Sequence, residues 1–211
     1  MAPLPIKQQI SFQQVAAPKL SASQLAIVEK WQEEIHQDPE LYNGKKIFCR
    51  EVVGNKAMVY VGDYATRMAL DEIQSAEQMS IGIGIVWCGV LLINQDKELL
   101  LSKRSQQVRI EPGAWFLSSA GGIEPGEDPQ QAAARELQEE LGVQIKVTYL
   151  GSLVGKPPYG LGMLYTASVA KDLEVILDPL ELTEWGWFSR LQLPQPQAVL
   201  LQDAIGLLDS K

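Results

Sequence analysis

The hydrophobic positions of this chain change period several times, and each change marks an element. Leu25, Val28, Trp31 and Ile35 recur at helical spacing behind Ser21, which predicts an amphipathic helix ending before Pro39. Asn43-Gly44 is a turn signal. Lys46 to Val53 then reads as a strand, Gly54-Asn55 as a turn, and Ala57 to Val61 as the returning strand of a hairpin. Asp63 is placed to cap a helix over 64–78. Before all of this, Pro3, Pro5 and Pro18 among polar residues predict a mobile or extended arm.

From Ile81 the pattern becomes strongly β-prone and stays so to Ile93; a turn at Asn94-Gln95-Asp96 leads to a second strand, Glu98 to Lys103. Residues 105–126 are rich in Gly, Ser and Pro and read as loop, with one short strand at Trp115 to Leu117. Asp128-Pro129 opens a helix with Asp at the cap and Pro at the first helical position, and Gly142 closes it. Strands follow at Gln144 to Leu153 and Met163 to Ala170, and a last helix at Gln197 to Leu208. The pattern is that of an α/β protein in two parts. Residues 1–80 form an arm and a small accessory α+β subdomain, and residues 81–211 form the main domain.

Charge and cysteine content narrow the function. The formal net charge is -8, and an acidic chain without a basic stripe is a poor binder of nucleic-acid backbones. No nucleic-acid partner is expected on that ground. The longest apolar run, Ile81 to Asn94, is shorter than a membrane span and carries three glycines, so no membrane partner is expected either. Cys49 and Cys88 lie in apolar stretches with no metal-ligand spacing and read as buried thiols, which suits a reducing compartment. With no secretory signal in the first residues, the expected location is cytoplasmic.

The helix opened by Asp128 carries the chemistry. It contains Glu136, Glu139 and Glu140. At about 100° per residue, Glu140 sits about 40° to one side of Glu136 and Glu139 about 60° to the other. All three carboxylates project from one side, with Leu137 and Leu141 on the neighbouring face for packing. A solvated acidic face is one reading. A hard divalent cation, which takes oxygen ligands, is the other.

The surrounding residues decide between them. From Gly121 the chain reads GGIEPGEDPQQAAARELQEELGV. This resembles the Nudix box, G-x5-E-x7-R-E-U-x-E-E-x-G-U with U aliphatic, and every specified position matches. The resemblance implies an α/β/α sandwich with a mixed sheet, and metal-dependent hydrolysis of a diphosphate linkage in a nucleoside diphosphate derivative. It implies Mg²⁺ or Mn²⁺ held by Glu136, Glu139, Glu140 and the Gly121 carbonyl. Arg135 would orient carboxylates, with Glu127 one candidate partner. Glu139 is one candidate general base; Glu181 and Glu184, in a segment similar to the family's E-U-x-E-x-x-W-F, are the others. Arg104, Gly122 and Trp115 are candidate substrate contacts. His36 stands alone and reads as structural. Leu117-Ser118-Ser119-Ala120 departs from relatives that carry a proline before the box glycines, which implies an altered loop path.

For the substrate, Pro157, Pro158 and Tyr159 nearly satisfy two branch signatures at once, those of ADP-ribose hydrolases and of dinucleoside polyphosphate hydrolases. The segment KRSQQVRIEPGAW, together with Trp31 and Asn43-Gly44-Lys45-Lys46, resembles UDP-sugar hydrolases. The resemblance favours a nucleoside diphosphate sugar such as ADP-ribose or UDP-glucose as small-molecule partner, with a homodimer as a possible assembly. The S-Q-P-W-P signature of NADH-type relatives is not matched. A non-catalytic sensor module is the rival class, and the intact box carboxylates argue against it.

Overall fold

The computed structural model describes residues 4–38, 43–73, 82–155 and 159–209. Among these, eleven strands form one mixed sheet flanked by four helices. In chain order they are β1 (Leu4–Ile6), β2 (Ser11–Gln14), α1 (Ala22–Gln37), β3 (Lys45–Val53), β4 (Lys56–Asp63), α2 (Tyr64–Glu72), β5 (Gly84–Ile93), β6 (Leu99–Arg104), β7 (Trp115–Phe116), β8 (Ser119–Gly122), α3 (Pro129–Leu141), β9 (Thr148–Val154), β10 (Leu161–Ser168), β11 (Leu182–Phe188) and α4 (Leu201–Asp209).

The axis of the sheet is β5, whose apolar run is buried on both faces, as a central strand requires. On one side β5 runs parallel to β10 from Val86 to Ile93. On the other side three antiparallel partners share it: β3 at Gly84 and Ile85, β8 from Trp87 to Val90, and β6 at Leu92 and Ile93. Alternate residues of β5 face opposite layers. Cys88, Val90 and Leu92 pack with Leu137 and Leu141 of α3, and Trp87 and Leu91 pack with Leu201 and Ile205 of α4. The result is the expected α/β/α sandwich.

A third apolar cluster lies under α1 and α2. Val28 and Ile35 meet Phe48, Tyr60 and Met68, and the Phe48 and Tyr60 rings stack at 5.2 Å. Phe48 is 1% exposed, worth about 1.5–3 kcal/mol by burial, and it fixes β3 against both helices. α1 begins with a capping box between Ser21 and Gln24, and Asp63 caps α2 by accepting from the Thr66 backbone N–H.

Three features differ from the pattern along the chain. The arm contributes two strands: β1 adds antiparallel to β9 and β2 adds parallel to β4. β8 forms in a Ser-Gly stretch that reads as loop, because β5 supplies an unpaired ladder there, and tertiary pairing overrides the low strand propensity of glycine. β11 forms against β6 in a segment to which the pattern assigns no element, and it carries Glu184. The far end of the helix expected to reach Gln78, and Pro157 and Pro158, lie outside the described residues.

Candidate active site

α3 owes its position to local signals. The Asp128 carboxylate accepts from the N–H groups of Gln130 (2.9 Å) and Gln131 (3.2 Å), Pro129 occupies the first helical position, and Gly142 ends the helix in the left-handed region at φ 70°. Ala132, Ala133, Leu137 and Leu141 fill the core. With that face fixed, Glu136 and Glu140 are directed at β8, and Glu139 stays at the rim with its side chain 56% exposed.

Arg135 ties this corner together. Its Nε donates to Glu127 Oε1 at 2.9 Å and its Nη2 to Glu127 Oε2 at 3.0 Å. Nη2 also reaches the Gly122 carbonyl at 3.0 Å, while Nη1 donates to Glu136 at 2.8 Å and to Glu139 at 2.9 Å. The hydrogen bonds from Arg135 hold the Glu127 carboxyl below the usual carboxylate range. Those same bonds raise the guanidinium's own pKa.

Glu140 is in the opposite position. It is 7% exposed, and its carboxylate accepts from the Ala120 N–H at 3.2 Å. Burial, and then the neighbouring charge of Glu136, push its pKa well above the ordinary value. Glu136 is raised too, again chiefly by burial, against the opposing pull of Arg135. Glu136 lies flat against β8: a Cβ on Gly121 would stand 2.1 Å from its carboxyl carbon. Only glycine permits that approach.

These residues fit a divalent cation. A buried and a half-buried carboxylate that repel each other, with Glu181 adding to the repulsion on Glu140, form an all-oxygen, charge-dense donor set. Among the described residues, no three such side chains already converge on one point. Arg135 draws Glu136 and Glu139 to itself.

A chamber of about 1010 Å³ opens beside β8, lined by Lys46, Tyr64, Arg67, Arg104, Arg109 and Glu181 among others. An adjoining slot of about 180 Å³ has Trp87, Phe116, Tyr159 and Ile110 as walls. Ile85, Arg104, Ile110 and Gly122 line both. Arg104 is fixed by its Nε bond to the Ile110 carbonyl at 2.7 Å, and burial lowers its pKa from the usual arginine value.

The structure therefore sets Gly121, Gly122 and Arg104 on the slot and Gly122, Arg104 and Glu181 on the chamber, with Glu136 and Glu140 packed against β8, Arg135 bonded to the Gly122 carbonyl and Glu139 at the rim. It places two candidates elsewhere. Glu184 is engaged by Lys103, Nζ to Oε1 2.6 Å, with its side chain 55% exposed. Trp115 is 8% exposed, packs edge-on against Phe188 at 5.0 Å, and lines neither cavity. Ser118, just before the box glycines, is buried between β5 and β6; its hydroxyl donates to the Leu100 carbonyl and accepts from the Leu92 N–H. Lys46, Tyr64 and Arg67 were not singled out as site residues by sequence, which offered only the Asn-Gly-Lys stretch as a hint.

The model of the NUDIX domain matches residues 86–205, more than half of the chain. The protein belongs to the NUDIX family. Its members generally use divalent metals such as Mg²⁺ or Mn²⁺. The chain is similar to an NAD-capped RNA hydrolase of Pectobacterium carotovorum, 36% identical over 109 residues, which are 51% of this chain and 40% of that protein. It is also similar to Nudix hydrolase 25 of Arabidopsis thaliana, 53% identical over 55 residues, 26% of this chain and 29% of that one. These matches span less than half the length of either relative. Among solved structures, a MutT NUDIX hydrolase from Burkholderia pseudomallei is 27% identical with a TM-score of 0.52, covering 59% of this NUDIX chain and 98% of that one.

A relative named for a capped RNA removes the ground for excluding nucleic acid from net charge alone. The chamber itself carries four cations, Lys46, Arg67, Arg104 and Arg109, against the one carboxylate of Glu181, in a chain whose net charge is -8. The charge along the chamber lining is opposite in sign to the total. No helix among the described residues is long and apolar enough to cross a membrane.

Proposed function

We propose that this NUDIX protein is a metal-dependent pyrophosphohydrolase that cleaves the diphosphate linkage of a nucleoside diphosphate derivative. The observation that carries this is the carboxylate pair of buried Glu140 and half-buried Glu136, set against β8, whose Gly122 lines a basic chamber. Glu136, Glu139, Glu140 and the Gly121 carbonyl would hold Mg²⁺ or Mn²⁺. A bound cation of this kind neutralises diphosphate oxygens, lowers the pKa of a coordinated water and steadies charge on the leaving phosphate.

The remaining work falls to the chain's own side chains. Arg104, rigid at the junction of slot and chamber, contacts the diphosphate. Trp87, Phe116 and Tyr159 offer flat apolar walls for a nucleobase or sugar ring, excluding water from that end of the substrate. Arg135 orients the rim carboxylates. Glu181, exposed at the chamber, is placed to take the proton from an attacking water. Glu139 is the alternative base, although its carboxylate is engaged by Arg135.

For the substrate, a nucleoside diphosphate sugar such as ADP-ribose or UDP-glucose is the first reading. A second, a dinucleotide such as NAD or the capped end of an RNA, is favoured by the chamber's size and excess of cations and by the relatives named for NAD-capped RNA. Phosphate-coupled turnover with Mg²⁺ or Mn²⁺ across ADP-ribose, UDP-glucose, diadenosine polyphosphates, NADH and NAD-capped RNA tests the proposal. Selective turnover of one class supports it and chooses between the readings. No turnover of any with metal bound contradicts the hydrolase reading.

A further inference from the structure

The chamber wall is assembled from both halves of the chain, and strand register explains how. Phe48 pairs with Ile85 and Cys49 with Gly84, where β3 joins β5. Gly122 of β8 pairs with Trp87. Continued in the same register, β3 would bring Lys46 opposite Trp87, the place that Gly122 holds. β3 gives way to β8 at this point, and Lys46 is left beside the box glycines. Its Nζ lies 3.6 Å from where a Cβ on Gly122 would stand.

Lys46 is half-buried and lines the chamber. Among the described residues its ammonium makes no hydrogen bond and no ion pair. The strand that carries it is held firmly, because Phe48, next on the same face of β3, is stacked on Tyr60. An ammonium has three N–H donors and no acceptor. Held in a basic chamber, a few ångströms from Gly122, it suits a phosphate oxygen bound at the same point.

We propose that Lys46 is a substrate-binding residue of this site, its ammonium donating to a non-bridging oxygen of the substrate diphosphate. The N-terminal unit is then a wall of the site in the same chain. The proposal rests on the hydrolase reading for the nature of the ligand, and the test separates the two.

Three variants serve: Lys46→Met, which keeps the stem and removes the charge, Lys46→Arg, which restores it, and Lys45→Met, the exposed neighbour, as control. Titration calorimetry follows binding of the non-hydrolysable diphosphate adenosine 5′-methylenediphosphonate with Mg²⁺, and of Mn²⁺ alone. Turnover is measured in parallel. K46M is expected to bind the diphosphonate about 10- to 100-fold more weakly, the scale of a charge-assisted hydrogen bond. K46R should recover most of that, K45M should match the wild type, and Mn²⁺ affinity should hold in all three. KM should rise more than kcat falls.

Equal diphosphonate affinity of K46M and a turning-over wild type overturns the assignment and leaves the hydrolase reading intact. Loss of Mn²⁺ affinity in step with the diphosphonate overturns it as well, since Lys46 would then act through Glu136. A wild type that hydrolyses nothing, but whose diphosphonate affinity still depends on Lys46, sustains the assignment and refutes the hydrolase reading. No diphosphonate binding by the wild type overturns the assignment.

Discussion

Arg135 and Glu127 meet fork to fork, Nε to Oε1 at 2.9 Å and Nη2 to Oε2 at 3.0 Å, eight residues apart on either side of the start of α3. This pairing needs a planar guanidinium, so lysine cannot reproduce it. Arg135→Lys is expected to lower stability by about 1–3 kcal/mol, the range for a charged hydrogen bond lost in a partly buried setting. The loss has a pH signature. The folded-state pKa of Glu127 is depressed, so its contribution is present above the unfolded carboxylate value near 4.5 and is lost as pH falls through the folded value. Urea denaturation at several pH values should therefore show a gap between wild type and R135K that is full at pH 6 and narrows below about pH 4.5. A gap that is constant down to pH 3 would contradict the linkage.

Glu140 carries the opposite sign. Its folded pKa is raised by burial and by Glu136, so the group favours the fold at low pH and its contribution is lost as pH rises through the folded value. Ionised and without a cation, it weakens the native state. Glu140→Gln is expected to melt higher than the wild type in EDTA at pH 8, and to gain little from added Mn²⁺, while the wild type gains several degrees. Turnover should fall by at least about 100-fold, as expected when a transition-state contact is removed. A thermal shift series with and without Mn²⁺ checks this, and a lower melting point for E140Q in EDTA would sink the argument.

Glu181 and Glu184 are three residues apart, but β11 separates their fates. Glu181 lines the chamber and interacts with Glu140 and Arg104, whereas Glu184 is held by Lys103 on the ladder between β6 and β11. Glu181→Gln should lower kcat about 100-fold, within the range for general-base loss. Glu184→Gln should leave kcat within about threefold, since an exposed ion pair contributes little. The reverse ranking in steady-state kinetics would move the base to Glu184.

Much of this site is written locally. The spacing of Arg135, Glu136, Glu139 and Glu140 on one helix, the Asp128 cap and the Gly142 stop all depend on residues within one or two turns, so they are legible without a fold. β8 is not legible, because Ser119 to Gly122 has no strand pattern of its own and becomes a strand only when β5 offers a ladder. The inequality between Glu139 and Glu140 was hidden as well. Both share the acidic side of α3, and only the docking angle against β8 buries one and leaves the other at the rim. Lys46 was the hardest to see. Its nearness to Gly122 follows from a pairing between Phe48 and Ile85, and nothing within the Asn-Gly-Lys stretch encodes that partner.

Two of the four strands that residues 1–80 contribute to the sheet, β1 and β3, have a consequence for how this architecture could be altered. β1 covers the free edge of β9, and β3 covers the start of β5. Removing the N-terminal residues would not release a tidy catalytic module. It would bare two hydrogen-bonding rims and the Ile85 end of a cleft, the kind of surface that recruits neighbouring strands and aggregates. A shuffling event, natural or engineered, that transplants residues 86–205 alone would have to bring substitute chain for both rims. The breakpoint visible in the sequence at residue 80 is thus a seam in composition but not a place where the sheet can be cut.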